Sequence, residues 1–445
     1  MSLKSKVFEK LTNAVAQADE TTVEGVETLA LAASAVRNLN EGTDTEEDIY
    51  QIGTPGEIGF GVATCPADLV PSGWRGLDGH NNIMSPNYGN YVDANGSILV
   101  YIPKHYYKWD GNNLYISHRP LSGYVIDRAF INAGKEVNGV FVYKYGGGND
   151  GGILVSKRLK DPVSTNSAHN PVANISGCSE NNYGEFYQAC KSAGSKYFLT
   201  SIFIYTMLAR LAYAHSKAAT NTVACAYSDV NPKLPKGNLN NALKDYNDSS
   251  VVFTPSGYSN CALTGSGEPF AKTMHNGQDS GVADLCGNMW EIASGFIRYD
   301  ANGFLVLKES VDISNIPNDN TTQGSGGAYD VDLYDVIDLS DIVSGNDGWI
   351  YFGNGSNAVF GMNTDRTSVT YKRTAIGIPN STGVSGSGTT EFGNDGLYRY
   401  LRDQMACIVG GGWSDAADAG VFTMYLNDCR TYSSSSVGGR ASYYV

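Results

Sequence analysis

The sequence predicts an α+β chain, rich in short strands, with a helical N-terminal segment. Three observations carry that expectation. Leu3, Val7, Leu11 and Val15 recur at four-residue spacing, and Val23, Val26, Leu29, Ala32, Ala33 and Val36 continue a narrow apolar stripe. Asn95-Gly96 and Asp110-Gly111 each sit between β-branched and aromatic residues, the strongest short-range hairpin signal. Between residues 183 and 217 two stretches have the period of helices, and the remainder reads as strands and turns.

Residues 1–50 are expected to be helical. Their stripe is narrow and their only aromatic before Tyr50 is Phe8, so the segment cannot make a core of its own; it must pack on copies of itself or on a larger assembly. Gly42 and the acidic run Asp44–Asp48 suit a linker. Residues 51–120 read as a β-rich connecting module. His105, Tyr106, Tyr107 and Trp109 could form a binding platform, but alternating aromatics in a strand more often make core and cross-strand pairs. Residues 121–445 read as one further domain. In NNYGEFYQACKSAG, Tyr183, Phe186, Cys190 and Ala193 share a helix face and Gly194 ends it. In the next helix Thr200 or Ser201 is the N-cap, with Phe203, Met207, Leu211 and Ala214 as its apolar stripe. A Gly/Ser/Asp-rich insertion spans about residues 300–395.

Composition excludes several functions. The chain has 445 residues, 52 glycines, 29 tyrosines, only 31 Lys+Arg and a formal net charge of −14. Neutralising phosphates needs clustered cations, so neither nucleic acid nor an anionic membrane surface is an expected partner. No run of about 18 apolar residues is present, so no membrane insertion is expected. The first twenty residues carry a charge every few positions and no apolar core, unlike a signal peptide. Eight cysteines form no CxxC and match no zinc spacing, which favours buried thiols.

Catalytic patterns are sparse. The runs Gly146–Gly148 and Gly410–Gly412 lack the spacing of phosphate-binding loops, and the six histidines form no HExxH or HxH. No catalytic residue, metal ligand or cofactor is expected. Calcium on Asp330, Asp332, Asp335, Asp338 and Asp341 is the one ionic alternative, but the spacing is not that of an EF-hand, and a charged edge strand fits better. In SGVADLCGNMWEIASGF, Gly287-Asn288 makes a tight turn into a strand with Trp290 buried.

Three motifs together resemble a known family. DLCGNMWEI resembles the DLxGNVWEW turn of the formylglycine-generating-enzyme-like branch of the C-type lectin fold. YGEFYQACKSAGSKYFLTSIFIYTMLARLA looks like that branch's paired helices, and Gly411-Gly412-Trp413 followed by Val437–Arg440 resembles its C-terminal GGSW…GFR element, with Gly439 where the family usually has Phe. The resemblance implies a C-type-lectin-like domain. It does not imply the oxidase activity. That enzyme's reactive cysteine pair follows the GGS element, where this chain reads Ser414–Ala419, and the related iron enzymes need a three-histidine cluster.

GGGWSDAADAGVFTMYLNDCRTYSSSSVGGR is similar to the tails of phage tail-fibre proteins and of variable proteins made by diversity-generating retroelements. That resemblance implies a virion protein whose C-terminal face binds a host-surface glycan or protein, held to other virion proteins through its N-terminal helices, with a homotrimer as the expected assembly. The implied contact positions are Ser414, Asp415, Asp418, Tyr425, Asn427, Asp428, Tyr432, Ser434 and Ser435. Gly287, Asn288, Trp290, Gly411, Gly412, Trp413, Phe422 and Arg440 match scaffold positions. Tyrosine supplies contact area at low side-chain entropy cost, and Ser, Asn and Gly adapt their hydrogen bonds. A head-fibre or decoration protein without a receptor is the alternative.

Overall fold

Ala441–Tyr444, the last strand of the chain, is paired on both sides: with Phe198–Leu199 and with Gly139–Tyr143. It lies inside a six-stranded antiparallel sheet in the order Arg75–Gly76, Asn90–Val92, Ile98–Pro103, Gly139–Tyr143, Ala441–Tyr444, Phe198–Leu199. This is a computed structural model, and it describes residues 51–219, 237, 239–300, 302–316, 330–343, 347–353, 359–380 and 392–445. The expected N-terminal helices lie outside the described residues. Strands from 75–103 share this sheet with the C-terminal strand, so the expected boundary at residue 120 crosses a continuous sheet and one hydrophobic core running from Ile52 to Ala441.

A second sheet takes the path Tyr334–Ile337, Gly303–Leu307, Trp290–Tyr299, Met405–Gly410, Gly420–Tyr425, Gly396–Arg399, Gly348–Tyr351. Val437–Gly438 runs parallel to the start of Trp290–Tyr299. The described chain is therefore α+β and mostly sheet.

The two helices form where helix-period spacing placed them. Glu185–Ser192 buries Phe186 and Cys190 completely, and Gly194 follows at φ +148°. Ile202–Ala218 starts at Ser201, whose hydroxyl accepts from the Ile204 amide at 3.3 Å; Thr200 pairs instead with Arg440 and Ser442. This helix is not a one-sided stripe. Every side chain from Ile202 to Ser216 is buried, because it lies against both the Trp290–Tyr299 and Gly420–Tyr425 strands. Each fully buried Phe, Met or Leu contributes about 1.5–3 kcal/mol. Gly295, at φ +90°, admits the Phe203 ring: a Cβ there would lie 3.0 Å from Cε2. It falls where the Trp290–Tyr299 strand shifts register.

Tyr107, Trp109 and His105 are buried, and Trp109 stacks on Phe360 at 5.0 Å, so that aromatic run serves the core. The hairpin there turns at Gly111-Asn112, one residue later than expected, with Asp110 paired to Asn113. Tyr334–Ile337 is an edge strand, and its neighbouring carboxylates are taken by cations: Asp335 by Lys372 at 2.9 Å and Asp341 by the Arg373 guanidinium. The seven described cysteines are free thiols, and Cys225 lies outside the described residues. Among the described residues no helix is long and apolar enough to cross a membrane.

Candidate functional site

The two scaffold turns dock on one another. Gly287, at φ +81°, donates its amide to the carbonyls of Gly410 and Gly411 at 3.3 and 3.0 Å. Asn288 bridges to Gly412 and exchanges two side-chain hydrogen bonds with the Ala262 backbone, at 2.9 and 3.0 Å. Trp290 donates its amide to the Ser436 carbonyl at 2.8 Å, which ties the turn to the last loop. Gly410 needs its missing side chain, since at φ +91° a Cβ would sit 2.4 Å from the Leu285 carbonyl oxygen. Trp413 is buried edge-on to His169 and Tyr258, at 6.0 and 6.4 Å. The position Gly439 leaves open is occupied by Phe186, whose Cδ1 lies 3.0 Å from where a Cβ would be.

On this base the tail lies beside residues that sequence reasoning missed. Gly420–Tyr425 pairs in parallel with Gly396–Arg399, which pairs antiparallel with Gly348–Tyr351. The registers Tyr425↔Tyr398 and Tyr398↔Trp349 set three rings in a cross-strand row, and Tyr351 follows two residues along on the same face. Tyr425 stacks on Tyr398 at 4.5 Å, Tyr398 meets Trp349 at 5.4 Å, Trp349 lies parallel to Tyr351 at 5.9 Å, and Trp290 closes the row at 5.6 Å from Tyr425. The alternate residues Ile350, Leu397 and Met424 point into the core, so one side of the ladder is anchored and the other is half-exposed. Trp349, Tyr351 and Tyr398 belong to the insertion or its edge. The signal that could have found them is the alternation in GWIY and GLYR.

The expected contact positions distribute around this row. Ser414 is exposed at the head of the loop and Tyr432 is 41% exposed. Asp418 meets the Tyr351 hydroxyl, and its carbonyl accepts from Thr423 at 2.9 Å. Tyr425 hydrogen-bonds with Asn427, whose side-chain oxygen also accepts from Arg402 at 2.5 Å. Asp428 lies near both Tyr425 and Tyr432; burial pushes its carboxyl up to about 6, against the opposing pull of Arg402. Asp415 works inside the loop: its carboxylate accepts from the Gly412 amide at 2.6 Å and from Trp290, and burial raises its pKa. Ser434 and Ser435 are half-buried and pinned by backbone contacts, Ser434 to Thr165 and Ser435 to His169 at 2.8 Å. Tyr425, Asn427, Asp428 and Tyr432 therefore gather at one end of the ladder and Asp418 at the other. Among the described residues no group of three or more His, Cys, Asp or Glu is arranged to hold a metal ion.

Half-exposed rings on a rigid sheet, rimmed by carboxylates, an amide and hydroxyls, suit reversible binding. No protein-family model matches the chain, and no curated protein does. Among solved structures it is similar to the Major Tropism Determinant U1 Variant (9% identity, TM-score 0.28, 86% of this chain and 88% of that one) and to the I1 Variant (11%, 0.27, 86% and 88%). The M1 Variant is similar too (10%, 0.28, 86% and 85%). At these scores the likeness carries no functional argument.

Proposed function

We propose that this chain is a virion-borne receptor-binding protein of C-type-lectin-like fold, engaging a host-surface glycan or protein through the aromatic ladder and the tail residues around it. The observation that supports this is the in-register row Trp349–Tyr398–Tyr425, half-exposed on a sheet whose opposite face is core. Aromatic anchors inside a polar rim are what binding energy concentrates on. The N-terminal helices would attach the protein to other virion components and set a homotrimer, and several weak faces engaged together give strong adhesion. The proposal includes no covalent chemistry.

The test is binding of fluorescently labelled protein to candidate host cells, beside a variant with alanine at Tyr425, Asn427, Tyr432 and Ser434. Binding by the parent alone supports the proposal. Equal binding by both moves recognition off this face, and binding by neither favours a head-fibre or decoration role.

A further inference from the structure

Lys144 follows the strand Gly139–Tyr143, is 3% exposed, and lies away from the aromatic ladder. Its backbone donates to the Ile98 carbonyl at 3.0 Å and accepts from the Ala283 amide at 2.8 Å. Among the described residues its Nζ has two hydrogen-bond acceptors, the Asn90 side-chain oxygen at 2.6 Å and the Asp279 carbonyl at 2.5 Å, and it forms no ion pair. Lysines elsewhere in the chain do pair with carboxylates: Lys104 with Glu136, Lys157 with Asp150 and Lys272 with Asp248. A buried ammonium needs a counter-charge and has three N–H groups to place. A neutral amine has two, which the two acceptors match, and it keeps its lone pair. Burial accordingly lowers the Lys144 pKa to about 7, with Asp279 favouring the charged form and Arg158 opposing it. The Phe270 ring lies 5.5 Å from Nζ, and His275, on the same loop as Asp279, stays neutral because burial lowers its pKa to about 3.

Asn90 is an electrophile held against that amine. It is fully buried, and its Nδ2 donates to the Tyr88 and Ser280 carbonyls at 2.9 and 2.8 Å, which turns its oxygen and carboxamide carbon towards Lys144. The registers Asn90↔Val100 and Val100↔Val142 put these three residues in one cross-strand row, and Lys144 follows two residues along on the same face. The lysine therefore reaches over the Ile98–Pro103 strand to a partner two strands away. Ser280 and His275 are themselves buried, so water, the competing nucleophile, is kept from the carboxamide. A nucleophile fixed beside its target in this way reacts as if at very high concentration.

We propose that Lys144 and Asn90 condense into an intramolecular isopeptide bond. The Nζ lone pair attacks Asn90 Cγ; the Nζ–Cγ bond forms, the Cγ–Nδ2 bond breaks, and one proton passes from Nζ to Nδ2, which leaves as ammonia. Asp279, the carboxylate whose charge acts on Nζ, carries that proton. Nothing is oxidised or reduced, and no co-reactant is needed. The bond clamps the strands Asn90–Val92 and Gly139–Tyr143 across the Ile98–Pro103 strand between them. It stands apart from the receptor face: neither needs the other.

The experiment is intact mass spectrometry of the purified full chain, followed by a tryptic peptide map. We expect a mass below that of the sequence by one ammonia, about 17 Da, and one branched peptide joining the segments that hold Asn90 and Lys144, uncleaved after Lys144. Lys144→Met and Asn90→Leu should each show the full mass of their sequence. Chain collected unfolded in urea should keep its full mass and lose ammonia only on refolding, faster at about pH 8 than at about pH 5, where the amine is protonated. Asp279→Ala should slow that loss. The readout on the parent chain needs no variant to fold. A parent of full mass after prolonged incubation at about pH 8 overturns the proposal. So does a mass loss that persists in Lys144→Met, or one that maps to a succinimide at an Asn-Gly pair such as Asn95-Gly96. An unchanged rate in Asp279→Ala overturns the proton route through that carboxylate.

Discussion

Arg440 and Glu291 form a wholly buried, two-pronged ion pair: Arg440 Nε lies 2.7 Å from Oε2, and a terminal nitrogen 2.5 Å from Oε1. Arg440 spends its remaining donors on the carbonyls of Tyr143, Ala283 and Asp284, at 3.2, 2.8 and 3.0 Å. The pair joins the glycine-rich end of the chain to the strand behind the Gly287 turn. Both groups are desolvated, and Arg440 divides its donors between the Glu291 carboxylate and those three carbonyls.

Removing one partner strands the other. Glu291→Gln or Arg440→Met is expected to cost about 3–5 kcal/mol, read as a fall in the denaturant midpoint. A shift under 1 kcal/mol would mean that water reaches the site and replaces the missing group.

The ladder makes a different prediction. Trp349→Ala and Tyr398→Ala should each weaken host-cell binding by at least about 2 kcal/mol, roughly thirtyfold, with the melting temperature changed less than by a core truncation, because the rings are only half-buried. Cell binding equal to that of the parent would take the insertion out of the recognition face.

Asp428 should make the face respond to pH. Its folded pKa, raised by burial to about 6, lies above the ordinary carboxylate value, so between about 4 and 6 the folded chain keeps a proton that the unfolded chain has released. Its contribution therefore favours the fold at acid pH and is lost as pH rises through 6. Asp428→Asn is expected to stabilise the protein at pH 7 by about 1–3 kcal/mol and to flatten any change in cell binding between pH 5 and 7. A binding profile that keeps its slope in the variant would place the titrating group elsewhere.

His275 acts in the opposite direction. It is fully buried, accepts from the Val282 amide on Nδ1 at 2.9 Å and faces the Gly61 carbonyl with Nε2 at 3.2 Å, so the neutral ring protonated on Nε2 fits both contacts. Burial lowers its pKa to about 3. As pH falls below 6.5 the unfolded chain takes up a proton that the folded chain refuses, and stability declines towards pH 3. His275→Gln should be less stable at pH 7.5 and lose less on acidification to pH 5, which urea titrations at the two pH values would show. Equal losses in both proteins would exclude His275 as the acid-sensitive group.

Local chemistry made part of the molecule legible. A hydroxyl before an apolar run marks an N-cap, and Ser201 caps its helix. The Gly287-Asn288 turn is visible in sequence because few residue pairs tolerate that backbone. The all-round burial of Ile202–Ala218 was not visible, since a strip of side chains does not tell how many neighbours will cover it. The Asp row looked like one acidic surface because Lys372 and Arg373, which pair with two of its members, lie more than thirty residues further on.

By itself, the sequence determined which residues turn, which start helices, and that the tail alternates glycines with binding-type polar residues. Tertiary structure alone decided what those residues stand beside. Tyr425 joins a ladder because the strand 396–399 pairs in register with its own strand and 348–351 pairs in register with 396–399, and register is a non-local property set by backbone pairing and by Ile350, Leu397 and Met424 on the buried side. Asp415 and Asp428 look alike in sequence. One is consumed holding the Gly412 turn, and the other is left among tyrosines with its proton held to about 6, because burial and nearby donors belong to the fold rather than to the residue.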